Sequence, residues 1–237
     1  MAQVINTNVA ALFAGAALNK SALALQTAQQ RLSSGLRINS VADDPTGLTS
    51  AVTIHSKALG TAVATRNAND AISVAQNNDG YAGQIQTNLQ RLYEIFVQTT
   101  DVTNAESVAL VNENKRIAAL TTTIGNVTVD GSGGTVAASS AVITAPSAAT
   151  ASGVLADLTT VSGNRAAYGA DIATFSSAVA TMQTTYVNLN AQYSRIMDTD
   201  YASETTAMTR NNILQQAGMA VLAQANQTPN TVLTLLR

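Results

Sequence analysis

Apolar residues follow one another at alternating steps of four and three along the second half of the chain. The series is Tyr168, Ile172, Phe175, Val179, Met182, Tyr186, Leu189, Tyr193 and Ile196. That spacing is the seam of a coiled coil. Val154, Leu158 and Val161 share its register upstream, with Arg165 the one interruption. The pattern predicts a long helix from about Val154 to Met197, whose stripe needs rod-like partners to bury it.

Those partners lie in the first half. Asp44-Pro45 is a helix start, with Asp as cap and Pro at the first helical position. From there to about Thr100 the apolar positions include Leu48, Val52, Leu59, Ile72, Ala75, Ala82, Ile85, Leu89, Leu92 and Phe96. The pattern falters around His55, Arg66 and Asp79-Gly80, which leaves room for a kink or break near Gly80. A third helix is expected after Thr103-Asn104, with Leu110, Ile117 and Ile124 a heptad apart and Leu120 between them. Between Asn126 and Gly153 the character changes to β-branched runs around Asp130-Gly131-Ser132-Gly133-Gly134. A small β-hairpin capping the bundle fits this block, and so does a Gly/Ser-rich linker.

Both ends repeat the helical theme without charge. Val4, Ala11, Leu18, Leu25 and Leu32 recur every seventh residue, with Ala22 and Leu36 on an adjoining row. Leu214, Ala217, Val221 and Ala225 share a face near the other end, where Pro229 is expected to break or kink the helix before Val232, Leu233, Leu235 and Leu236. No charged side chain lies between Asn211 and Leu236, or before Lys20 at the start. Isolated amphipathic helices are marginal in water. The ends are therefore expected to be largely disordered alone and to order by packing on each other or on neighbouring copies. The fold class expected is mainly α: an elongated antiparallel coiled-coil and helical bundle built from both chain ends, with a small β-hairpin region at mid-chain. The expected domains are residues 1–42 with 198–237 as a terminal coiled coil, and 43–197 as a helical bundle that includes 126–153.

Composition narrows the function. Among 237 residues the net charge is −2 and charged residues are 11%. No basic stripe suits a nucleic acid. There are no cysteines, so neither disulfides nor thiolate metal sites arise. The single histidine, His55, has no second imidazole to form a metal site and reads as a surface or interface residue. No nucleophile, base and orienting group stand together, so neither an enzyme nor a cofactor is expected. Val9 to Leu18 has the length of a signal-peptide core, but no Lys or Arg precedes it and the heptad runs through Ala22-Leu23-Ala24. A cleaved signal is therefore not expected. Nor does any stretch read as the roughly 20 apolar residues of a membrane span.

Longer motifs carry a family likeness. Ala2-Gln3-Val4-Ile5-Asn6-Thr7-Asn8, Arg31-Leu32-Ser33-Ser34-Gly35-Leu36-Arg37-Ile38-Asn39-Ser40, Asp43-Asp44 and Arg66-Asn67-Ala68-Asn69-Asp70 resemble the N-terminal half of bacterial flagellin. Asp198-Thr199-Asp200-Tyr201-Ala202, Ile213 through Gly218 and Leu222 through Gln227, on to Leu235-Leu236-Arg237, resemble its C-terminal half. The middle is only the short 126–153 block, as in a short form lacking the variable outer domains.

The resemblance implies a structural subunit that is exported without a cleaved signal peptide and polymerises into the extracellular flagellar filament for swimming. It implies Val4, Ile5, Leu12, Leu18, Leu25, Leu32, Leu214, Val221, Leu222, Val232, Leu233, Leu235 and Leu236 as polymerisation and core-packing residues. Arg31, Arg37, Asp43 and Asp44 become interdomain or inter-subunit polar contacts, with capping and solvation the alternative reading. Asp198 and Asp200 become structural residues near the joint between domains. Gln90, Arg91, Glu94 and Ile95 fall in the segment that a flagellin-sensing innate immune receptor reads. Tyr93 stands where many relatives carry a second arginine, so weak or absent recognition is expected. Implied partners are further copies of the chain, the flagellar export apparatus and its chaperone, and hook-associated and cap proteins; nucleic acid and membrane are not expected. The alternatives are a hook–filament junction protein and a secreted coiled-coil adhesin.

Overall fold

The computed structural model describes residues 7–99, 104–128, 133–139, 141–143 and 150–235, with side chains described as far as residue 227. Among the described residues seven elements succeed one another: α1 (Val9–Ser34), α2 (Pro45–Thr99), α3 (Ala105–Ala118), β1 (Val127–Thr128), β2 (Thr135–Val136), α4 (Ala151–Met197) and α5 (Tyr201–Leu235). The fold is mainly α, with one antiparallel two-stranded sheet that pairs Val127 with Val136 and Thr128 with Thr135. The chain forms two compact units, Met1–Thr53 with Gln192–Arg237, and Ile54–Ala191. Their limits fall inside α2 and α4. A small core of Ile38, Ala51 and Met197, flanked by Leu36, Leu48, Tyr193 and Ile196, draws those helix ends into the terminal unit.

In the unit Ile54–Ala191 the heptads read from the sequence become the core. Val154, Val161, Tyr168, Phe175 and Met182, every seventh residue of α4, are buried. On α2 the matching row is mostly alanine, with Ala68, Ala75, Ala82 and Leu89 buried beside Ala64, Ile85, Leu92 and Phe96. These side chains form one cluster with Ile117, Ala118, Ile124, Val127 and Ile143. Small residues on one helix leave room for the large Tyr168 and Phe175 of the other within the same buried cluster. Tyr186, read as part of the seam, is 41% exposed.

Buried amides and a carboxylate tie the remaining segments to this core. Asn78 binds the Thr122 backbone twice, from Nδ2 to the carbonyl at 2.7 Å and from the Thr122 N–H to Oδ1 at 3.1 Å. Asn88 donates to Asn114 Oδ1 at 2.8 Å and holds α3 on α2. Asp171 accepts from the Ser139 N–H at 3.0 Å and from its hydroxyl at 2.6 Å. Tyr168 donates to the Ala141 carbonyl at 3.0 Å. Burial, and secondarily the Asp171 charge, pushes the Tyr168 phenol above its ordinary range.

Several expectations are corrected. α2 runs through Gly80 without a break, because one exposed glycine costs only about 1 kcal/mol against the burial on either side. α3 stops at Ala118, short of Ile124, and Ile124 is buried from an irregular segment. α5 continues past Pro229, where a proline forfeits one ladder bond without ending the helix. α1 is long enough to cross a membrane, and its most apolar 18 residues reach a mean hydropathy of 1.3, so it passes by length and composition. Its alanines keep the average high although Asn19, Lys20 and Ser21 interrupt the apolar run.

Candidate assembly surface on the terminal helices

α1 and α5 pair within the single chain, one of the two arrangements expected from the sequence. Asn8 Nδ2 donates to the Ala225 carbonyl at 2.8 Å, Leu18 Cδ1 lies against Gly218, and Arg31 faces Glu204 at 3.7 Å. As α1 advances the partners move backward, so the helices are antiparallel. The inward row of α1 is Ala11, Ala14, Leu18, Ser21, Leu25, Ala28 and Leu32, all buried or half-buried. From Ala11 onward it contains the row spaced by seven read from the sequence, and adds a small residue between each pair. On α5 the inward row is Glu204, Met208, Asn211, Gln215, Gly218, Leu222 and Ala225. Gly218 lets the helices close up, since a Cβ there would sit 3.3 Å from Leu18 Cδ1.

The other face of each helix is also apolar and is left open by the described residues. Val9, Leu12, Phe13 and Leu23 of α1 are exposed, Phe13 at 78%. So are Ile213, Leu214, Met219 and Val221 of α5. Single exposed hydrophobes are ordinary, but large apolar side chains repeated outside the paired stripe of both helices mark an interaction surface. Of the sequence-expected packing residues, Leu18, Leu25, Leu32 and Leu222 thus lie on the inner seam, and Leu12, Leu214 and Val221 on the outer face. Val4, Ile5 and Leu236 lie outside the described residues, as do the side chains of Val232, Leu233 and Leu235. Val9, Phe13, Leu23, Ile213 and Met219 are not singled out by the sequence reading. Their signal is hydrophobicity on both sides of a charge-poor helix, which a search for one amphipathic stripe passes over.

The connection from α1 into α2 is tightly built. Gly35 ends α1 in the left-handed conformation (φ 72°), and its N–H donates to the Arg31 carbonyl at 2.8 Å. Beyond it the chain crosses the α4–α5 junction. The Arg37 N–H donates to the Met197 carbonyl at 2.6 Å, and the Thr199 N–H to the Gly35 carbonyl at 2.9 Å. Arg37 Nη2 adds a bond to the Ile196 carbonyl at 2.8 Å. Asp43 accepts from the Ser40 N–H at 2.9 Å, the Asn39 N–H at 3.1 Å and the Ser40 hydroxyl at 3.1 Å. The Ser40 backbone bond, then that of Asn39, holds its carboxyl below the usual range, and Arg31 adds to the effect. Asp44 caps α2 through the Gly47 N–H at 2.8 Å, as Asp44-Pro45 predicts.

Two family models cover most of the chain: the bacterial flagellin N-terminal helical region matches residues 5–136, and the bacterial flagellin C-terminal helical region matches residues 152–236. The chain belongs to the bacterial flagellin family. Between the two matched stretches lie only residues 137–151, so this flagellin carries no outer domain there. The phase 1 flagellin of Salmonella naestved and the flagellins of Salmonella budapest and Salmonella derby are each 50% identical to it over 107 residues. That stretch is 45% of this chain and 21% of each relative, so the chain matches only about a fifth of their length.

In this flagellin Gln90, Arg91 and Glu94 are exposed or half-exposed on α2, while Ile95 is buried at 3% exposure. Arg91 bonds Glu106 of α3 at 2.9 Å and Glu94 at 3.1 Å. The Glu106 bond, then that of Glu94, raises the guanidinium above its ordinary range. Among the described residues no cluster of His, Asp and Glu is arranged to hold a metal ion.

Proposed function

We propose that this chain is a structural subunit, not an enzyme, that polymerises into the extracellular bacterial flagellar filament and so serves swimming. The observation that carries the reading is the two-sided character of α1 and α5. One side of each helix is occupied by its partner in the same chain, and the other presents Val9, Leu12, Phe13, Ile213, Leu214 and Val221 to a neighbour. Burying each such large side chain contributes roughly 1.5–3 kcal/mol. Summed over several residues, that gain works against the entropic cost of adding each subunit.

Within this reading Val4, Ile5, Val232, Leu233, Leu235 and Leu236 extend the same contacts, and Arg31, Arg37, Asp43 and Asp44 shape the joint beside them. The chain leaves the cell without a cleaved signal through the flagellar export apparatus, escorted by a chaperone, and meets hook-associated and cap proteins at the filament's ends. Gln90, Arg91 and Glu94 present a weak epitope to the innate receptor, with Arg91 already engaged by Glu106 and Glu94.

The test is Phe13→Asp, which leaves the inner seam untouched. Circular dichroism should match the parent protein, while electron microscopy of seeded protein should show no filaments. Filaments of ordinary length from that variant would sink the proposal.

A further inference from the structure

The heptad Leu110, Ile117 and Ile124, with Leu120 between, continues in sequence past the point where α3 ends. The local chain carries no proline or glycine until Gly125, so nothing covalent stops the helix at Ala118. The hydrogen bonds show what does. Leu120 and Thr121 donate to Ile117 and Ala118 in a tightened last turn, at 2.9 and 3.2 Å. The Thr121 hydroxyl also takes the Ala118 carbonyl, at 2.7 Å.

An α-helix would next send the Thr122 N–H to that same Ala118 carbonyl. Instead it goes to Asn78 Oδ1, and Asn78 Nδ2 takes the Thr122 carbonyl in return. Asn78 is 1% exposed and lies 44 residues away on α2. Both polar ends of one side-chain amide are thus spent on one backbone residue of another segment.

We propose that Asn78 is a conformational stop: it ends α3 by capturing the Thr122 backbone, and without it the helix extends toward Ile124 at the expense of β1. The captured turn is what sends Ile124 into the core from irregular chain and brings Val127 of β1 into the core opposite Val136. Continuing the helix moves residues 119–124 along its axis at 1.5 Å per residue and withdraws β1 from its partner. The Asn88–Asn114 bond lies upstream and holds α3 on α2 in both states. Asn78 therefore governs only the path of the chain beyond Ala118. This inference concerns the fold of the unit Ile54–Ala191 and stands apart from the proposed polymerisation.

The experiment is backbone NMR of the full chain carrying Asn78→Leu, with Asn78→Ser as a second variant that leaves room for water. Residues 119–124 should acquire helical carbon shifts, and the contact between the Val127 and Val136 strands should be lost. Adding Thr122→Pro, which removes the amide an extended helix needs, should bring the end back to Ala118. Unchanged shifts over 119–124 in both single variants overturn the proposal. So does global unfolding of both, because a residue that only places a stop leaves the α2–α4 core folded.

Discussion

The side chain of Asn8 joins the start of α1 to Ala225 of α5 across 217 residues of sequence, its Nδ2 2.8 Å from the carbonyl. The same side chain caps α1, because Oδ1 accepts from the Ala11 N–H at 3.1 Å. One amide therefore does two jobs, and the two can be separated. Asn8→Asp keeps the acceptor and loses the donor, whereas Asn8→Ala loses both. Hydrogen exchange should show the first turn of α1 still protected in Asn8→Asp. Asn8→Ala should lose that protection, with about 1 kcal/mol less stability for the helix pair. Equal effects of the two substitutions would show that the cap contributes nothing.

Glycine-to-alanine changes should take opposite signs along α2. Gly80 lies mid-helix, and a methyl group placed on its Cα would meet nothing within 4 Å, so Gly80→Ala should stabilise by about 1 kcal/mol. Gly47 lies in the first turn, where a Cβ would collide with the Asp44 carboxylate and sit 2.8 Å from Ile38 Cδ1. The same substitution there displaces the cap and the small core of Ile38, Ala51 and Met197, and should cost about 1–3 kcal/mol. Thermal melts of the two variants read both signs directly.

These contrasts bear on how much of the fold was legible. The heptad of α4 was plain, because Val154, Val161, Tyr168, Phe175 and Met182 are large and evenly spaced. The α2 row was harder: Ala68, Ala75 and Ala82 are weakly hydrophobic, and alanine also fills exposed helix faces. Asp44-Pro45 announced its helix because a cap acts within one turn. The end of α3 was illegible for the opposite reason, since Asn78 acts from 44 residues away. On the terminal helices the seven-residue row identified the inner seam. It could not assign Leu12 or Leu214, since a helix apolar on both sides offers two faces and only a partner chooses between them.

Asp43 gives the connection after α1 a pH dependence whose sign is set by its bonds. Donation from the Ser40 and Asn39 backbones and the Ser40 hydroxyl lowers its folded pKa below the ordinary value of 3.8. A depressed carboxyl stabilises the folded state above the unfolded pKa, and that contribution fades as pH falls through the folded value. The stability difference between the parent protein and Asp43→Asn, from urea midpoints, should be constant from pH 7 to about 5 and shrink below about 4. A difference that grows on acidification would contradict this.

Ser139 and Asp171 should behave as a coupled pair. The carboxylate is 7% exposed and accepts the Ser139 amide and hydroxyl, so removing the hydroxyl leaves it partly satisfied by the backbone. Hydrogen bonds to a charged group contribute about 1.5–3 kcal/mol, and Asp171→Ala should cost at least that much because it also strands the Ser139 N–H. Ser139→Ala should cost less, and the double variant less than the sum of the two. Strict additivity in urea denaturation would show that the hydroxyl and the carboxylate act separately.

Arg165 interrupts the α4 heptad, and its geometry explains why the interruption is tolerated. Its guanidinium reaches Asp79 at 2.8 Å and Gln86 at 2.9 Å, with arginine and aspartate side chains 40% and 38% exposed. The Asp79 bond raises the guanidinium above its ordinary range. An ion pair so open to water contributes at most about 1 kcal/mol. Arg165 is half-buried at a seam position, where the aliphatic stem of an arginine is expected to lie along apolar surface. Arg165→Met preserves that stem and loses the charge, while Asp79 stays hydrated. It should therefore leave the melting temperature within a few degrees of the parent value. Arg165→Ala removes stem and charge together, and should cost about 1 kcal/mol more than Arg165→Met. If the two variants melt together, well below the parent protein, then the ion pair and not the packed stem holds this layer.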